Sequence, residues 1–331
     1  MDIDIDALKT LVRERSLSLD LLVSSIEEAL LIAYSHEPRA VEHARVSLDR
    51  KSGHVTVWAA RLDERGDLVE EYDDTPAGFG RVAAATARQV LVQRLRDASS
   101  DRSFEEFSAR SGDLVSGTIQ QGRDPAVVLV DLGKVEAVLP PAEQVPQDNY
   151  EHGHRIKAVI VSVRRGPSGT SVIISRTHPD LVAKLFALEV PEIADGVVEI
   201  VGLAREAGHR TKIAVRSNNP NVNAKGSCIG PMGQRVRQVM AELSGEKIDI
   251  VDFSDDPARY VANALSPARV TSVEVVDAAA RSARVTVPDY QLSLAIGREG
   301  QNARLAARMT GWRIDIRSDS AAPPGVAGAP D

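Results

Sequence analysis

The chain has 331 residues, of which 43% are hydrophobic and 26% are charged, and its formal net charge is −7. These proportions exclude a disordered chain, and the length predicts two to four domains. No apolar run approaches the roughly 18 residues of a membrane span, MDIDIDALKT lacks the basic residues of a signal peptide, and the single Cys228 excludes an internal disulfide, so we expect a cytoplasmic protein without membrane association.

The first third of the chain holds the acidic excess and is typical of an α+β domain. Residues 1–108 carry 21 Asp and Glu side chains against 14 Lys and Arg, whereas the remainder is nearly balanced. Ser18 is the predicted N-cap of a helix, and alternating apolar residues predict a hairpin over residues 44–60. A second helix is predicted over residues 81–100, with Val82 on its apolar side.

Residues 111–177 contain five short apolar segments separated by turns with Gly or Pro. Five strands in so few residues favour a small closed barrel of the OB type over a fragment of a β-sandwich. The KAVIVSV and VIISRT runs resemble the ribosomal S-one type of barrel, which implies contact with RNA. The segment AVVLVDLG is wholly aliphatic, however, and Tyr150, His152 and His154 fall in a turn. RNA contact by the barrel and a purely structural role are therefore both open.

The last part of the chain contains an internal repeat. The segment CIGPMGQRVRQVMAELSGEKIDI matches AIGREGQNARLAARMTGWRIDI, so that Gly230 aligns with Gly297 and Gly233 with Gly300. In each copy we predict helix, strand, strand, short helix, Gly-x-x-Gly, helix and strand. A single glycine pair is common at turns. Two pairs with matching flanks indicate a function for the loop.

A Gly-x-x-Gly loop between two helices suits contact with a nucleic-acid backbone. Without a Cβ the main chain approaches a phosphate closely, and the following helix offers N–H groups and the positive end of its dipole. Both copies resemble the KH fold in its bacterial, type II form, which clamps single-stranded nucleic acid. The residues predicted to bind RNA are those of the two loops and the helix starts that follow them: Gly230, Pro231, Met232, Gly233, Gln234, Arg235, Arg237, Gly297, Arg298, Glu299, Gly300, Gln301, Asn302 and Arg304.

From residue 1 to about residue 318 the sequence resembles the NusA family of bacterial transcription elongation factors. The most specific stretches are TPAGFGRVAAATARQV, the linker SRTHPDLVAKLFALEVPEIADGVVEIVGLAREAGHRTKIAV, and the glycine loops with SGEKIDIV and GWRIDI. The resemblance implies an N-terminal domain that binds RNA polymerase and modules that bind nascent single-stranded RNA. It further implies effects on pausing, termination and antitermination, with other Nus-type transcription factors as partners. We expect a monomer.

The expected fold is therefore multidomain α+β. Its parts are an RNA polymerase-binding α+β domain (1–110), a five-stranded OB-type RNA-binding barrel (111–177), two tandem type II KH domains (178–253 and 254–318) and a tail (319–331). The Pro- and Ala-rich composition of the tail is typical of a flexible segment.

Two other functions are open on the residues alone. A ribosome-associated or general RNA chaperone would use the same modules, and an accessory of an RNA-processing nuclease is the second alternative. The sequence has no catalytic carboxylate cluster, no P-loop and no zinc spacing, and His152 with His154 alone does not make a metal site. We expect no catalytic residue, no metal site and no cofactor.

Overall fold

The computed structural model of the chain describes residues 3–15, 18–63, 65, 68–166 and 169–320. The chain divides into two units, one of residues 1–106 with 165–170, the other of residues 107–164 with 171–331. Apart from residues 319 and 320, the predicted flexible tail lies outside the described residues. Within the described ranges, none of the helices combines the length and the apolar character that crossing a membrane requires.

The first unit packs helices against a three-stranded antiparallel sheet. Its elements are α1 (Ile5–Arg15), α2 (Leu19–Ser35), β1 (Ala44–Leu48), β2 (Val55–Leu62), β3 (Leu68–Asp73) and α3 (Phe79–Ser108), the last of which continues into the second unit. The strand order is β1-β2-β3. Ser18 is the N-cap of α2 and its hydroxyl accepts a hydrogen bond from the Leu21 N–H, as the sequence predicts. The predicted hairpin is the β1–β2 pair.

The predicted apolar side of α3 is wrong at Val82. This side chain is 40% exposed, whereas Phe79, Ala83 and Ala87 are buried in the core of the first unit. The helix contacts the core through alanines, whose small side chains allow close approach. A hydrophobic pattern gives valine more weight than alanine, so it predicts that Val82, rather than Ala83 and Ala87, faces the core.

The second unit begins with a closed barrel, which confirms the predicted five strands. These are β4 (Leu114–Gln120), β5 (Val128–Asp131), β6 (Glu136–Leu139), β7 (Arg155–Gly166) and β8 (Gly169–Ser175), in the order β4-β5-β6-β8-β7. A Cβ on Gly117 would lie 2.5 Å from Val130 Cγ1 and 2.6 Å from the Asp131 carbonyl oxygen. Glycine at this position therefore allows β4 and β5 to pair closely.

Two α+β domains of matching topology follow and confirm the predicted fold class. The first contains α4 (Asp180–Glu189), α5 (Pro191–Ala194), β9 (Val198–Glu206), β10 (Arg210–Ser217), α6 (Ala224–Ile229), α7 (Gln234–Glu242) and β11 (Lys247–Asp252). The second contains α8 (Pro257–Ala264), β12 (Ser272–Asp277), β13 (Ser282–Val287), α9 (Leu292–Ile296), α10 (Gln301–Thr310) and β14 (Arg313–Ser318). In each sheet the central strand pairs antiparallel with the strand before it and parallel with the last strand.

Arg176, a buried arginine with a buried carboxylate partner, joins the barrel to the first KH domain. Arg176, directly after β8, donates through Nε to Asp148 Oδ2 at 2.7 Å and through Nη2 to the Glu242 carbonyl oxygen at 2.9 Å. Burial raises the pKa of Asp148, but the hydrogen bond and charge of Arg176 outweigh burial and hold that pKa below its usual value. A second buried pair, Arg205 with Glu246 at 2.9 Å, lies in the first KH domain.

The two KH domains share a hydrophobic core. Ala204, Ala214 and Val251 lie on the β9–β11 sheet, and they pack in one cluster with Val261 of α8 and Leu305 of α10. The sheet of the first domain is thus covered by helices of the second, which fixes the two domains against each other. 

A buried lysine lies at the same junction. Lys212 Nζ donates to Asp249 Oδ2 at 3.0 Å and to the Ser266 carbonyl oxygen at 2.6 Å. Burial lowers the pKa of Lys212, and the charge of Asp249 partly offsets that effect. The ammonium group thereby links the first KH sheet to the segment that follows α8.

Candidate nucleic-acid interface

The two Gly-x-x-Gly loops have the same backbone conformation. Each forms a single 3-10 turn, Pro231–Gly233 in the first KH domain and Arg298–Gly300 in the second. The φ angles at the three positive-φ positions are 72°, 51° and 74° in the first loop and 78°, 53° and 73° in the second. The residues concerned are Gly230, Met232 and Gly233, then Gly297, Glu299 and Gly300. The sequence repeat is therefore a repeat of local geometry.

The first glycine of each pair is required by packing inside its own domain. A Cβ on Gly230 would lie 2.6 Å from Arg235 Cγ, and a Cβ on Gly297 would lie 2.8 Å from both Cβ and N of Asn302. Both glycines combine φ above 70° with ψ near 170°, a region that is almost confined to glycine. These two glycines shape the loop.

The second glycine of each pair has different surroundings in the two loops: Gly300 faces open space, and Gly233 faces the end of the Arg237 side chain. Around a Cβ built on Gly300, none of the described atoms lies within 4 Å, and on Gly233 the closest is Arg237 Nη1 at 3.1 Å. Gly233 and Gly300 are the N-caps of α7 and α10, and they have no side chain to cap the helix. N–H groups of the first turn that the loop does not use are therefore left for an outside acceptor, beside the positive end of the helix.

The residues between the glycines project into solvent. Met232 is 93% exposed, and the side chains of Arg298 and Glu299 are 94% and 82% exposed. Arg298 Nε lies 3.6 Å from Glu299 Oε1, so the two charges of the second loop offset each other. Both loops are thus open to a strand, and neither carries a net charge of its own.

The residues two positions after the second glycine hold the loops in place. Arg235 Nη1 donates to the Ser227 carbonyl oxygen at 2.8 Å and to Glu192 Oε2 at 2.9 Å. Asn302, which aligns with Arg235, is 3% exposed. Its Nδ2 donates to three carbonyl oxygens, at 3.0 Å from Leu265, 3.3 Å from Leu294 and 3.0 Å from Ala295.

The RNA contact of Asn302 stays a prediction, and its buried side chain does not make that contact. A side chain this deeply buried has no access to a strand, and it acts from inside the domain. Arg235 is half-buried and paired, so its first role is also to hold the loop. The sequence pattern could not separate these roles, because polar residues at a helix start serve either purpose.

Two arginines occupy the same place after the two loops but have different surroundings. Arg237 in α7 is exposed and forms no hydrogen bond or ion pair with any residue that the structure describes. Arg304 in α10 donates from Nε to Glu206 Oε1 at 2.7 Å and from Nη1 to the Glu299 carbonyl oxygen at 3.1 Å. Gln301 Nε2 donates to the other oxygen of Glu206 at 2.8 Å.

An open groove lies beside the first loop. It is lined by Glu192, Asn221, Val222, Asn223, Gly226, Ser227, Gly230, Pro231 and Arg235. A second groove shares Asn221–Asn223 and ends at Phe253, over whose ring the Arg216 guanidinium lies at 5.4 Å. Sequence reasoning missed Phe253. Its signal is an aromatic residue directly after the last strand of the domain, in a chain with few aromatics.

Cys228 is buried, and Tyr150 is half-buried. Burial raises the pKa of the Cys228 thiol to about 12, so the thiolate that nucleophilic chemistry needs is not formed at neutral pH. The Tyr150 hydroxyl accepts from the Val145 N–H at 2.8 Å and donates to Asp148 Oδ2 at 3.2 Å, and burial raises its pKa to about 12. Its ring packs against the barrel core.

His152 and His154 are exposed in the turn before β7. In the part of the chain that the structure describes, His, Cys, Asp and Glu side chains nowhere form a group of three or more that could hold a metal ion.

Three family models match the chain, in the order of the domains. They are the NusA N-terminal domain over residues 5–63, the NusA-like first KH domain over 176–253 and the NusA-like second KH domain over 257–323.

Full-length relatives match as well. The chain is 59% identical over 331 residues to the transcription termination/antitermination protein NusA of Mycobacterium bovis, a match that covers 98% of this chain and 95% of that protein. The NusA protein of Bacillus subtilis is 45% identical, with 96% and 91% covered, and that of Thermus thermophilus is 37% identical, with 94% and 88% covered. These matches, together with the barrel and the paired Gly-x-x-Gly loops, show that the chain belongs to the NusA family of transcription termination/antitermination proteins.

Proposed function

We propose that the protein binds nascent single-stranded RNA through its two Gly-x-x-Gly loops while its N-terminal domain binds RNA polymerase, and that it thereby modulates pausing, termination and antitermination. The observation that carries the RNA-binding part is the pair of open loops with one backbone conformation. A phosphate would lie beside Gly300 in open space and beside Gly233 next to the Arg237 guanidinium, and the helix starts behind both glycines favour its negative charge.

We propose a set of RNA-contacting residues that this geometry supports. They are Gly230, Pro231, Met232, Gly233, Gln234 and Arg237 of the first KH domain, and Gly297, Arg298, Glu299, Gly300 and Gln301 of the second. Bases of the strand would lie in the groove beside the first loop, towards Asn221–Asn223. Arg216 lies over Phe253 and is paired with Glu199 Oε2 at 2.9 Å, so its guanidinium adds a flat surface suited to base stacking but little free charge.

Contact with RNA polymerase is proposed for the first unit on its surface composition and its family. Its sequence is acidic, which disfavours an RNA face. Large apolar side chains are exposed on α2 and on the edge strand β3, and such side chains suit a protein partner. They are Leu21, Ile32, Leu68 and Val69. We also infer that the protein acts as a monomer, together with other Nus-type transcription factors, and has no catalytic role.

Crosslinking on a stalled elongation complex tests whether the loops bind RNA while the N-terminal domain binds RNA polymerase. We expect RNA crosslinks at residues 230–237 and 297–301, and polymerase crosslinks within residues 3–106. RNA crosslinks that avoid both loops would contradict the RNA-binding part. Polymerase crosslinks confined to residues 171–320 would favour a general RNA-binding protein that associates with polymerase only through the bound RNA.

A separate incubation tests the absence of catalysis. End-labelled RNA kept with the protein and Mg²⁺ should remain at full length over hours. Appearance of shortened RNA that scales with protein concentration would overturn this inference.

A further inference from the structure

We propose that the two loops contribute unequally to the electrostatic binding of RNA, because Glu206 of the first KH domain neutralises the arginine that serves the second loop. Arg237, which is unpaired among the residues that the structure describes, gives the first loop a cation. Arg304 is held by Glu206, so the second loop binds a phosphate mainly through main-chain N–H groups. This inference rests on the proposed binding of single-stranded RNA at the loops and says how their charge is controlled.

The comparison is between equivalent positions. Arg237 follows Gly233 by four residues, and Arg304 follows Gly300 by four residues. Each arginine is the fourth residue of the helix that starts after its loop. Because the loops share one backbone conformation, both side chains begin from the same place relative to the phosphate site.

Arg237 is placed to meet a phosphate. Its Nη1 lies 3.1 Å from the position that a Cβ of Gly233 would occupy, so the guanidinium extends over the open side of the loop. Arg237 forms no hydrogen bond or ion pair with a residue that the structure describes. Its charge is therefore available to a ligand, and a guanidinium binds phosphate with charge-assisted hydrogen bonds.

Arg304 is occupied by groups of this chain. Glu206 is the last residue of β9, and its carboxylate receives Arg304 Nε at 2.7 Å and Gln301 Nε2 at 2.8 Å. Arg308 Nη1 lies 3.9 Å from the same carboxylate. The hydrogen bond from Arg304 holds the pKa of Glu206 below its usual value, so the carboxylate is ionised at neutral pH.

The same contact shapes the loop. Arg304 Nη1 donates to the Glu299 carbonyl oxygen at 3.1 Å, so Arg304 connects Glu206 of one domain to the loop of the next. Glu206 reaches α10 because the two KH domains share a core. With Arg298 offset by Glu299 and Arg304 offset by Glu206, the second loop has little net positive charge.

Salt dependence of RNA binding measures this difference directly. Each phosphate that a cation neutralises on a single strand contributes about 0.7 to the slope of log Kobs against log salt, or about 2.6-fold in affinity over a fourfold range of salt. The binding of a labelled single-stranded RNA would be titrated with the full chain at several salt concentrations. The variants are Arg237→Gln, Arg304→Gln, Glu206→Gln and the double variant Glu206→Gln/Arg304→Gln.

The four variants have distinct expected results. Arg237→Gln lowers the slope by about 0.7, because one phosphate loses its cation. Arg304→Gln leaves the slope unchanged. Glu206→Gln keeps the size and the hydrogen-bonding shape of the side chain but frees Arg304, so it raises the slope by about 0.7 and tightens binding at low salt. The double variant returns to the slope of the unaltered chain.

Glu274→Gln is the matched control for net charge. Glu274 lies on β12 and also pairs with an arginine of the second unit, Arg284 at 3.1 Å, rather than with a residue of either loop. This variant should keep the unaltered slope. A loss of slope in Arg304→Gln equal to that in Arg237→Gln, or an unchanged slope in Glu206→Gln, would overturn the inference while RNA binding itself stands. A full chain that binds no RNA would instead overturn the proposed function and the inference with it.

Discussion

Asn302 occupies in the second Gly-x-x-Gly motif the position that Arg235 occupies in the first, and both side chains donate a hydrogen bond to the short helix before the loop. Asn302 Nδ2 donates to the Leu294 carbonyl oxygen, and Arg235 Nη1 donates to the equivalent carbonyl of Ser227. The two side chains differ in length and charge but make the same connection across the loop. The loop conformation is thus held from inside the domain in both copies.

Removing the Asn302 side chain should lower the stability of the fold, because this side chain is buried and does not face the strand. Asn302→Ala leaves three carbonyl oxygens without their buried donor, and the cost is about 1–3 kcal/mol in the free energy of unfolding. Urea denaturation of the full chain measures this loss of free energy of unfolding. Arg298→Ala, at an exposed position of the same loop, is the control and should leave stability nearly unchanged. Equal effects of the two changes would contradict the buried role of Asn302.

The two glycines of a loop should differ in their tolerance of alanine. Gly297→Ala combines a backbone conformation almost confined to glycine with a Cβ that meets Asn302, and should destabilise the protein by about 3 kcal/mol or more. Gly300→Ala has open space and only the left-handed penalty of about 1–2 kcal/mol. Thermal unfolding of both variants is the measurement. A larger loss in Gly300→Ala would contradict the assignment of Gly297 to packing.

The buried Asp148–Arg176 pair should make the junction of the barrel and the first KH domain sensitive to acid. Since the pKa of Asp148 is lowered in the folded state, its stabilising contribution is present above the unfolded value of 3.8 and is lost as the pH falls through the folded value. Asp148→Asn should cost about 3 kcal/mol near neutral pH, because it removes one partner of a buried charge.

The pH dependence of that difference is the test. Urea unfolding of both proteins from about pH 7 downwards should show the difference between them shrinking below about pH 4. A difference that stays constant down to about pH 3 would contradict the lowered pKa.

The thiol of Cys228 should be inert in the folded protein. The Cys228 side chain is buried, so a thiol reagent cannot reach it. Its pKa is raised to about 12, so at about pH 8 the thiol is not ionised to the reactive thiolate. Reaction should be slow in buffer and complete in denaturant. Rapid labelling of the folded chain would show that α6, which carries Cys228 just before the first loop, opens readily.

Much of this architecture was predictable because its signals are local or repeated. The glycine spacing, the short helix before each pair and the amphipathic helix after it recur at a fixed offset, and the structure places them in two equivalent domains. The five barrel strands are short apolar segments separated by turns with Gly or Pro, and this local pattern predicts them. Ser18 acts within its own helix turn, where capping depends on adjacent residues only.

The remaining features depend on residues far apart in the chain. Glu206 and Arg304 are 98 positions apart, and their contact exists because the second KH domain packs on the sheet of the first. Asn302 reads as a polar helix start, yet its surroundings are carbonyl oxygens from α9 and from the end of α8. On α3 the alanines face the core, but a hydrophobicity pattern assigns the core side to Val82, which is more hydrophobic than alanine.

The central claim is that phosphates of a single strand lie against the second glycine of each loop, and a charge placed there tests it most directly. The double variant Gly233→Asp/Gly300→Asp puts a carboxylate at both sites, and Gly233→Asn/Gly300→Asn puts a neutral side chain of the same size there; both residue types tolerate the left-handed conformation. We expect the dissociation constant for single-stranded RNA at low salt to rise at least about tenfold more in the Asp variant than in the Asn variant, a difference of about 1.4 kcal/mol. An Asp variant that binds RNA as tightly as the unaltered protein would contradict the claim.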